Sequence, residues 1–155
     1  MSTVIFSKKC EYALRSLVYL ARSSPVCGAR QISRSQNVPY HFIGKVLHEL
    51  KGKGLVKSVR GAGGGFALAR AADRISLIEV VRALECDDVW NRCIYGFGGC
   101  SDSHHCPLHE GWKPIRDSIN VYLTNHTIGD LARPLAGFAE SGVIWQGDVK
   151  PHGLS

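Results

Sequence analysis

Acidic residues are scarce in one stretch of this chain. From Arg30 to Arg74 there are only two, Glu49 and Asp73, against nine Lys and Arg. That is +7 over 45 residues in a chain whose total is +6, so everything outside the stretch sums to −1. Lys and Arg that neutralise phosphates release condensed counterions, so a local surplus of this kind suits a polyanion. A solvated basic face is the plain alternative on charge alone. Long apolar runs are also lacking: none approaches the ~18 residues of a membrane-spanning helix. The N-terminus has no apolar segment followed by a small-residue cleavage site. The expected location is therefore cytoplasmic, with no membrane partner. No Gly-Lys-Ser/Thr follows the glycines at 61–65 and no helix starts there, which excludes a P-loop. No motif assembles an acid–base pair or an activated nucleophile, so neither an enzyme nor a small-molecule substrate is expected. Internal repeats are absent.

What is present is the balance of a soluble globular protein, 45% hydrophobic and 21% charged over 155 residues. That length suggests one domain, or one small domain with an extension. The six cysteines of a cytoplasmic chain are metal ligands or free thiols sooner than disulfides. Cys93, Cys100 and Cys106 fall within fourteen residues, with Gly96, Gly98 and Gly99 between the first two. Such a loop can turn tightly around something small while aiming several sulfurs inward. Cys106-x-x-His109 adds a fourth donor at one-turn spacing. Cys10, Cys27 and Cys86 read as small core or surface residues.

The periodicities before this loop describe a compact helical module. Ser7 is placed to cap a helix running to about Arg22, with Leu14, Leu17, Val18 and Ala21 on one apolar face. A short helix over 29–36 follows, with Ile32 as its core residue. Asn37-Val38 makes a tight connection. Pro39 suits a first helical position, and the helix it opens runs to about Lys51. Phe42, Ile43, Val46, Leu47 and Leu50 form its apolar face; His41, Gly44, Lys45 and His48 form the other, with Tyr40 at its start. A short helix, a tight turn and a second helix with a donor-rich face predict a helix-turn-helix. Leu55 to Val59 and Phe66 to Ala69 then read as two strands around a Gly-rich turn, the wing of a winged helix. Ser76-x-x-Glu79 predicts a capping box for a further helix bearing Leu77, Val80, Val81 and Leu84. Beyond the cysteine loop, a long helix is expected to about Asn125, with Trp112, Ile115, Ile119, Tyr122 and Leu123 as one large stripe. Core packing is the plain reading of that stripe. A small winged helix already has a core, so burial against a second copy is the sharper one, with Trp112, Ile115, Ile119 and Leu123 as the dimer interface. Thr127-x-x-Asp130 opens a last short helix through Leu135.

The fold class is therefore mainly α with a small β-hairpin: a winged helix-turn-helix plus a long dimerisation helix. The expected division is 1–85 for the winged helix, 86–110 for the cysteine-rich loop, 111–135 for the dimerisation helix and short helix, and 136–155 for a loose tail. Tyr40, His41 and Lys45 are expected in a major groove, with Arg34 beside them. Arg60 and Gly63, Gly64 and Gly65 of the wing are expected at a minor groove. Gly44 has no side chain with which to read a base.

This order of elements resembles the Rrf-type family of bacterial winged-helix regulators, the group containing IscR and NsrR. The matching residues are Tyr12-Ala13-Leu14-Arg15, Gly54-Leu55-Val56, Ser58 to Phe66 in the wing, the cysteine triplet, and Thr127-Ile128-Gly129-Asp130-Leu131. The resemblance covers roughly residues 5–135 and implies a homodimer that binds palindromic double-stranded DNA under control of an iron–sulfur cluster. Family loops usually carry five residues between successive cysteines; here six separate Cys93 from Cys100 and five separate Cys100 from Cys106. Long Gly-rich gaps suit a cluster better than zinc, whose ligands usually pair at two-to-four-residue spacing; bare redox-active thiols are a further reading. His109 matches the IscR-like fourth-ligand position, which favours [2Fe–2S] on Cys93, Cys100, Cys106 and His109. Glu11 aligns with the acidic ligand that NsrR-like members donate from the partner subunit, which favours [4Fe–4S]. Of the two, [2Fe–2S] is preferred. In their plain readings Glu11 is a first-turn carboxylate at a helix N-terminus and His109 a surface residue opening a helix.

Overall fold

The computed structural model of the chain describes residues 6–23, 25–85, 100, 102–103 and 106–133. Cys86, Cys93, Gly96, Gly98, Gly99, His104, His105 and the segment 136–155 lie outside the described residues.

Helix α1, Lys8–Arg22, is capped by the Ser7 hydroxyl, which accepts the Cys10 N–H at 3.2 Å. Its inner face buries Cys10, Ala13, Leu17, Val18 and Leu20. Around it pack α2 (Ala29–Gln36), α3 (Tyr40–Gly52), α4 (Leu77–Leu84) and α6 (Ile128–Ala132). Between α2 and α3, Asn37 takes a left-handed conformation (φ 49°), which asparagine tolerates better than most residues. Val38 is thereby buried, with its N–H on the Ser33 carbonyl at 3.1 Å and its carbonyl on the Ser33 hydroxyl at 2.6 Å.

Three local expectations are corrected here. Pro39 is the residue that caps α3, not its first turn: its ψ is 134°, while its carbonyl accepts from Phe42 and Ile43. Phe42 is not in the core. Ile43, Val46, Leu47 and Leu50 fill the buried face, and Phe42 stays 48% exposed, edge-on to Tyr12 and against His41. Ser76 starts α4 by its backbone, but its side chain makes no cap bond. Glu79 is drawn off by Arg70, which also donates to the Arg74 carbonyl at 3.1 Å and the Gly54 carbonyl at 3.3 Å. The guanidinium brings a full opposite charge to Glu79 together with a charge-assisted hydrogen bond.

Strands β1 (Val56–Val59) and β2 (Gly65–Leu68) pair antiparallel, Val56 opposite Leu68 and Val59 opposite Gly65. Their bounds shift one residue from those expected. A single turn of 3₁₀ helix, Ala72–Arg74, leads to α4. Helix α5, His109–Asn125, carries Pro114 within it, which removes one rung of the helical ladder. Its apolar stripe divides. Leu123 is 6% exposed in the chain's own core and Ile119 packs against that core, while Ile115 is 54% exposed and Val121 and Tyr122 are also exposed. Helix α6 has the full capping box: Asp130 N–H donates to the Thr127 hydroxyl at 3.1 Å, and Thr127 N–H donates to the Asp130 carboxylate at 2.8 Å. It ends at Ala132, short of Leu135, because Arg133 precedes Pro134 and is extended (ψ 133°). Among the described residues no helix is long and apolar enough to cross a membrane.

Candidate nucleic-acid interface and cysteine–histidine site

The outward face of α3 carries Tyr40, His41, Lys45 and His48, all exposed, with Gly44 between them. The same residues, with Glu49, line a shallow groove. Tyr40 is 52% exposed, and the Arg30 guanidinium lies 5.6 Å from its ring centroid. That contact holds a cation from α2 beside the groove. Arg34 is exposed in the last turn of α2. Glu49 is partly neutralised by Lys9 at 2.9 Å, which leaves the rest of the face cationic.

The wing tip is shaped by glycine. Gly61 (φ +107°) and Gly63 (φ +81°) take conformations that L side chains rarely adopt, and Gly64 N–H closes the turn on the Gly61 carbonyl at 2.9 Å. Arg60, at the wing base, is exposed. Gly65 also packs closely: Cys27 and Phe66 exchange two backbone hydrogen bonds at 2.9 Å, and a Cβ on Gly65 would stand 2.4 Å from the Cys27 carbonyl oxygen. It seats the wing on the loop before α2.

The second site lies at the start of α5. His109 is 1% exposed, so it is not a surface residue opening the helix. Its Nδ1 is 3.2 Å from Cys100 Sγ and its Nε2 is 3.0 Å from Asp102 Oδ1. Its N–H donates to the Cys106 carbonyl at 3.0 Å. Lys113, one turn on, donates to both Asp102 oxygens at 2.8 and 2.9 Å, and Arg116 reaches the Cys100 carbonyl at 3.4 Å. Lys113 and then the His109 ring hold the Asp102 carboxyl down at about 2. Among the described residues no three His, Cys, Asp or Glu side chains converge as a metal site; Cys93 lies outside them. Glu11 is a first-turn carboxylate of α1 paired with Lys8 at 2.8 Å. Cys10 and Cys27 are fully buried in the core, and burial pushes both thiols up, Cys10 to about 12 with the Glu85 carboxylate adding to the effect.

Residues 6–134 match the model of the Rrf2 family, iron-dependent transcriptional regulators. The chain belongs to the Rrf2 family. An HTH-type transcriptional regulator of Aquifex aeolicus is 31% identical over 131 residues, 83% of this chain and 91% of that protein. The regulator IscR of Cronobacter sakazakii is 34% identical over 128 residues, 81% of this chain and 78% of that protein. Among solved structures, CymR, the global cysteine regulator of B. subtilis, superposes with a TM-score of 0.70 at 28% identity, covering 85% of this chain and 97% of CymR. IscR of T. potens superposes with a TM-score of 0.66 at 25% identity, covering 89% and 97%. This Rrf2 chain is thus a DNA-binding transcriptional regulator with a winged helix, and not an enzyme.

The Rrf2 motifs acquire physical roles in the fold. Arg15, matched in the first helix, donates to the Gln36 carbonyl at 2.7 Å and to its side-chain oxygen at 3.3 Å. A cation on the last carbonyls of α2 fixes that helix end, and with it the turn into α3. The sequence offered no signal for this role, because the partners are 21 residues apart. Asp102 was missed for a similar reason: an aspartate in a loop has no periodicity to mark it. In the Thr127–Leu131 motif, Ile128 is buried and its N–H bonds to the Ile75 carbonyl at 2.8 Å, which docks α6 beside the start of α4.

Proposed function

We propose that this Rrf2 regulator acts as a homodimer on a palindromic operator, and that its operator affinity is set by an iron–sulfur cluster held by Cys93, Cys100, Cys106 and His109. The observation that carries the cluster reading is the convergence of Cys100 Sγ and His109 Nδ1 at 3.2 Å around a buried ring. Thiolate sulfur with one imidazole is a donor set that iron–sulfur centres accept. Among the described residues the buried indole N–H of Trp112, one turn beyond His109, finds no hydrogen-bond partner. A buried donor left unpaired by the protein is accounted for by a bound group or ion beside it. Bound there, the cluster supplies a charge that changes with oxidation and with iron supply. Glu11, engaged by Lys8, supports [2Fe–2S] over [4Fe–4S].

The chain's own residues provide the coupling. Cys100, Asp102 and Cys106 tie the loop to the first turns of α5. Leu123, four turns along, ties the same helix to the core beside α4, and Ile115, Val121 and Tyr122 face outward where a second copy would pack. Displacing the loop therefore moves the helix that spaces the two α3 faces. Tyr40, His41 and Lys45 enter successive major grooves, with Arg34 on the backbone beside them and Arg60 and the wing tip at the flanking minor groove.

A thiol-responsive repressor without iron–sulfur is the second reading. It is favoured by the likeness to CymR, one of whose solved structures is an oxidised form from Staphylococcus aureus. Anaerobic purification followed by visible absorption and iron and sulfide analysis separates the two. About two iron and two sulfide per chain are expected for [2Fe–2S]; about four of each would assign the larger cluster. A colourless chain that resists reconstitution would leave the thiol reading. Replacing Cys93, Cys100 and Cys106 together by Ala is expected to abolish the dependence of operator affinity on oxidation.

A further inference from the structure

We propose that Asp102 is a positioning residue that holds the His109 imidazole with Nε2 protonated, so that the histidine joins the loop's ligand set through Nδ1. The proposal rests on the cluster reading for the identity of the bound group, and on distances alone for the ring.

A carboxylate only accepts hydrogen bonds, so the proton between Asp102 Oδ1 and His109 Nε2, 3.0 Å apart, belongs to the ring. A neutral imidazole carries one proton, and the lone pair is then on Nδ1. That nitrogen is the one 3.2 Å from Cys100 Sγ. In the metal-free chain the Cys100 thiol can donate to it; a metal bound by the same sulfur replaces that proton and meets the same lone pair. His109 and Lys113 stand four residues apart on one face of α5. Lys113 grips both Asp102 oxygens, at 2.8 and 2.9 Å, and keeps the carboxylate at the ring. The ring cannot readily turn over: it is 1% exposed, and its own backbone N–H is bonded to the Cys106 carbonyl at 3.0 Å. Carboxylates in this position fix the tautomer of metal-binding histidines and raise their basicity.

Two measurements on the full chain test this. Nitrogen-15 NMR of the metal-free, histidine-labelled protein reports the His109 tautomer directly. The Nε2–H form is expected in the wild type, its preference lost in Asp102→Ala and restored in Asp102→Glu. A wild-type ring protonated on Nδ1 overturns the proposal whether or not iron binds. On reconstituted protein, Asp102→Ala is expected to hold iron about ten- to a hundred-fold less tightly against a chelator. Lys113→Met, which keeps the acceptor, is expected to lose less. Unchanged iron retention in Asp102→Ala overturns the positioning role. A wild-type chain that takes up no iron overturns the cluster reading instead, and the tautomer measurement then decides the role of Asp102 by itself.

Discussion

Among the described residues Gly64, Gly65 and Gly129 make close approaches that a Cβ would disturb, and the last two differ in what stands in the way. At Gly65 the obstacle is the Cys27 carbonyl oxygen, 2.4 Å from the Cβ position and locked in a pair of backbone hydrogen bonds. Backbone held that way cannot swing aside. Gly65→Ala is expected to cost roughly 1–3 kcal/mol, read from the urea midpoint of unfolding. At Gly129 the nearest atoms belong to the Asp73 carboxylate, which can rotate away. Gly129→Ala is expected to cost about 1 kcal/mol or less. Equal losses at the two sites would show that the wing is not seated through Gly65. The contrast also separates two uses of glycine that look alike in the sequence: Gly61 and Gly63 serve the curvature of the tip, whereas Gly65 serves packing.

Among the elements, α6 is the one whose start can be tested most simply. With its five residues, it is too short to hold itself together and depends on its cap and on Ile128. Thr127→Ala removes the hydroxyl that accepts from Asp130 and is expected to cost about 1 kcal/mol. The Thr127 backbone N–H, then its hydroxyl, hold the Asp130 carboxyl below its ordinary value of 3.8. A carboxylate lowered by folding stabilises the fold above its unfolded value, and that contribution is lost as pH falls through the lower, folded one. The stability of the wild type should therefore fall below about pH 4 more steeply than that of Asp130→Asn, in urea melts across the acid range. Parallel curves would remove the capping box from the account of α6.

On the scale of the whole molecule, charge and exposed apolar surface make separate predictions. Arg60→Ala is expected to weaken operator binding several-fold and to lower the slope of log affinity against log salt by about 1, in a salt titration of binding. No change at physiological salt would take the wing base out of the contact. Ile115 is 54% exposed on α5, so an acidic side chain there disturbs little within one chain. Ile115→Asp is expected to turn a dimer into a folded monomer in sedimentation velocity. A dimer that persists would place the interface on another face.

Much of the architecture was legible because the signals are local. Ser7 before an apolar period, Asn37 in a tight connection and Thr127 three residues before Asp130 each act through bonds that close within a few residues, so α1, α2, the start of α6 and the limits of α5 could be read from the chain alone. The basic stretch and the helix-turn-helix–wing order pointed to DNA for the same reason: charge and periodicity are properties of the sequence. Tertiary structure decided whatever depended on competition between distant groups. Arg70 took Glu79 from Ser76, the core had room for Ile43 but not Phe42, and α5 turned Leu123 inward while leaving Ile115 out. Arg15 on the end of α2, and Asp102 and Lys113 around a buried His109, likewise exist only once remote segments meet. A period shows that a face is apolar, but what covers that face, and which carboxylate an arginine or a histidine finds, is set by partners that folding brings together.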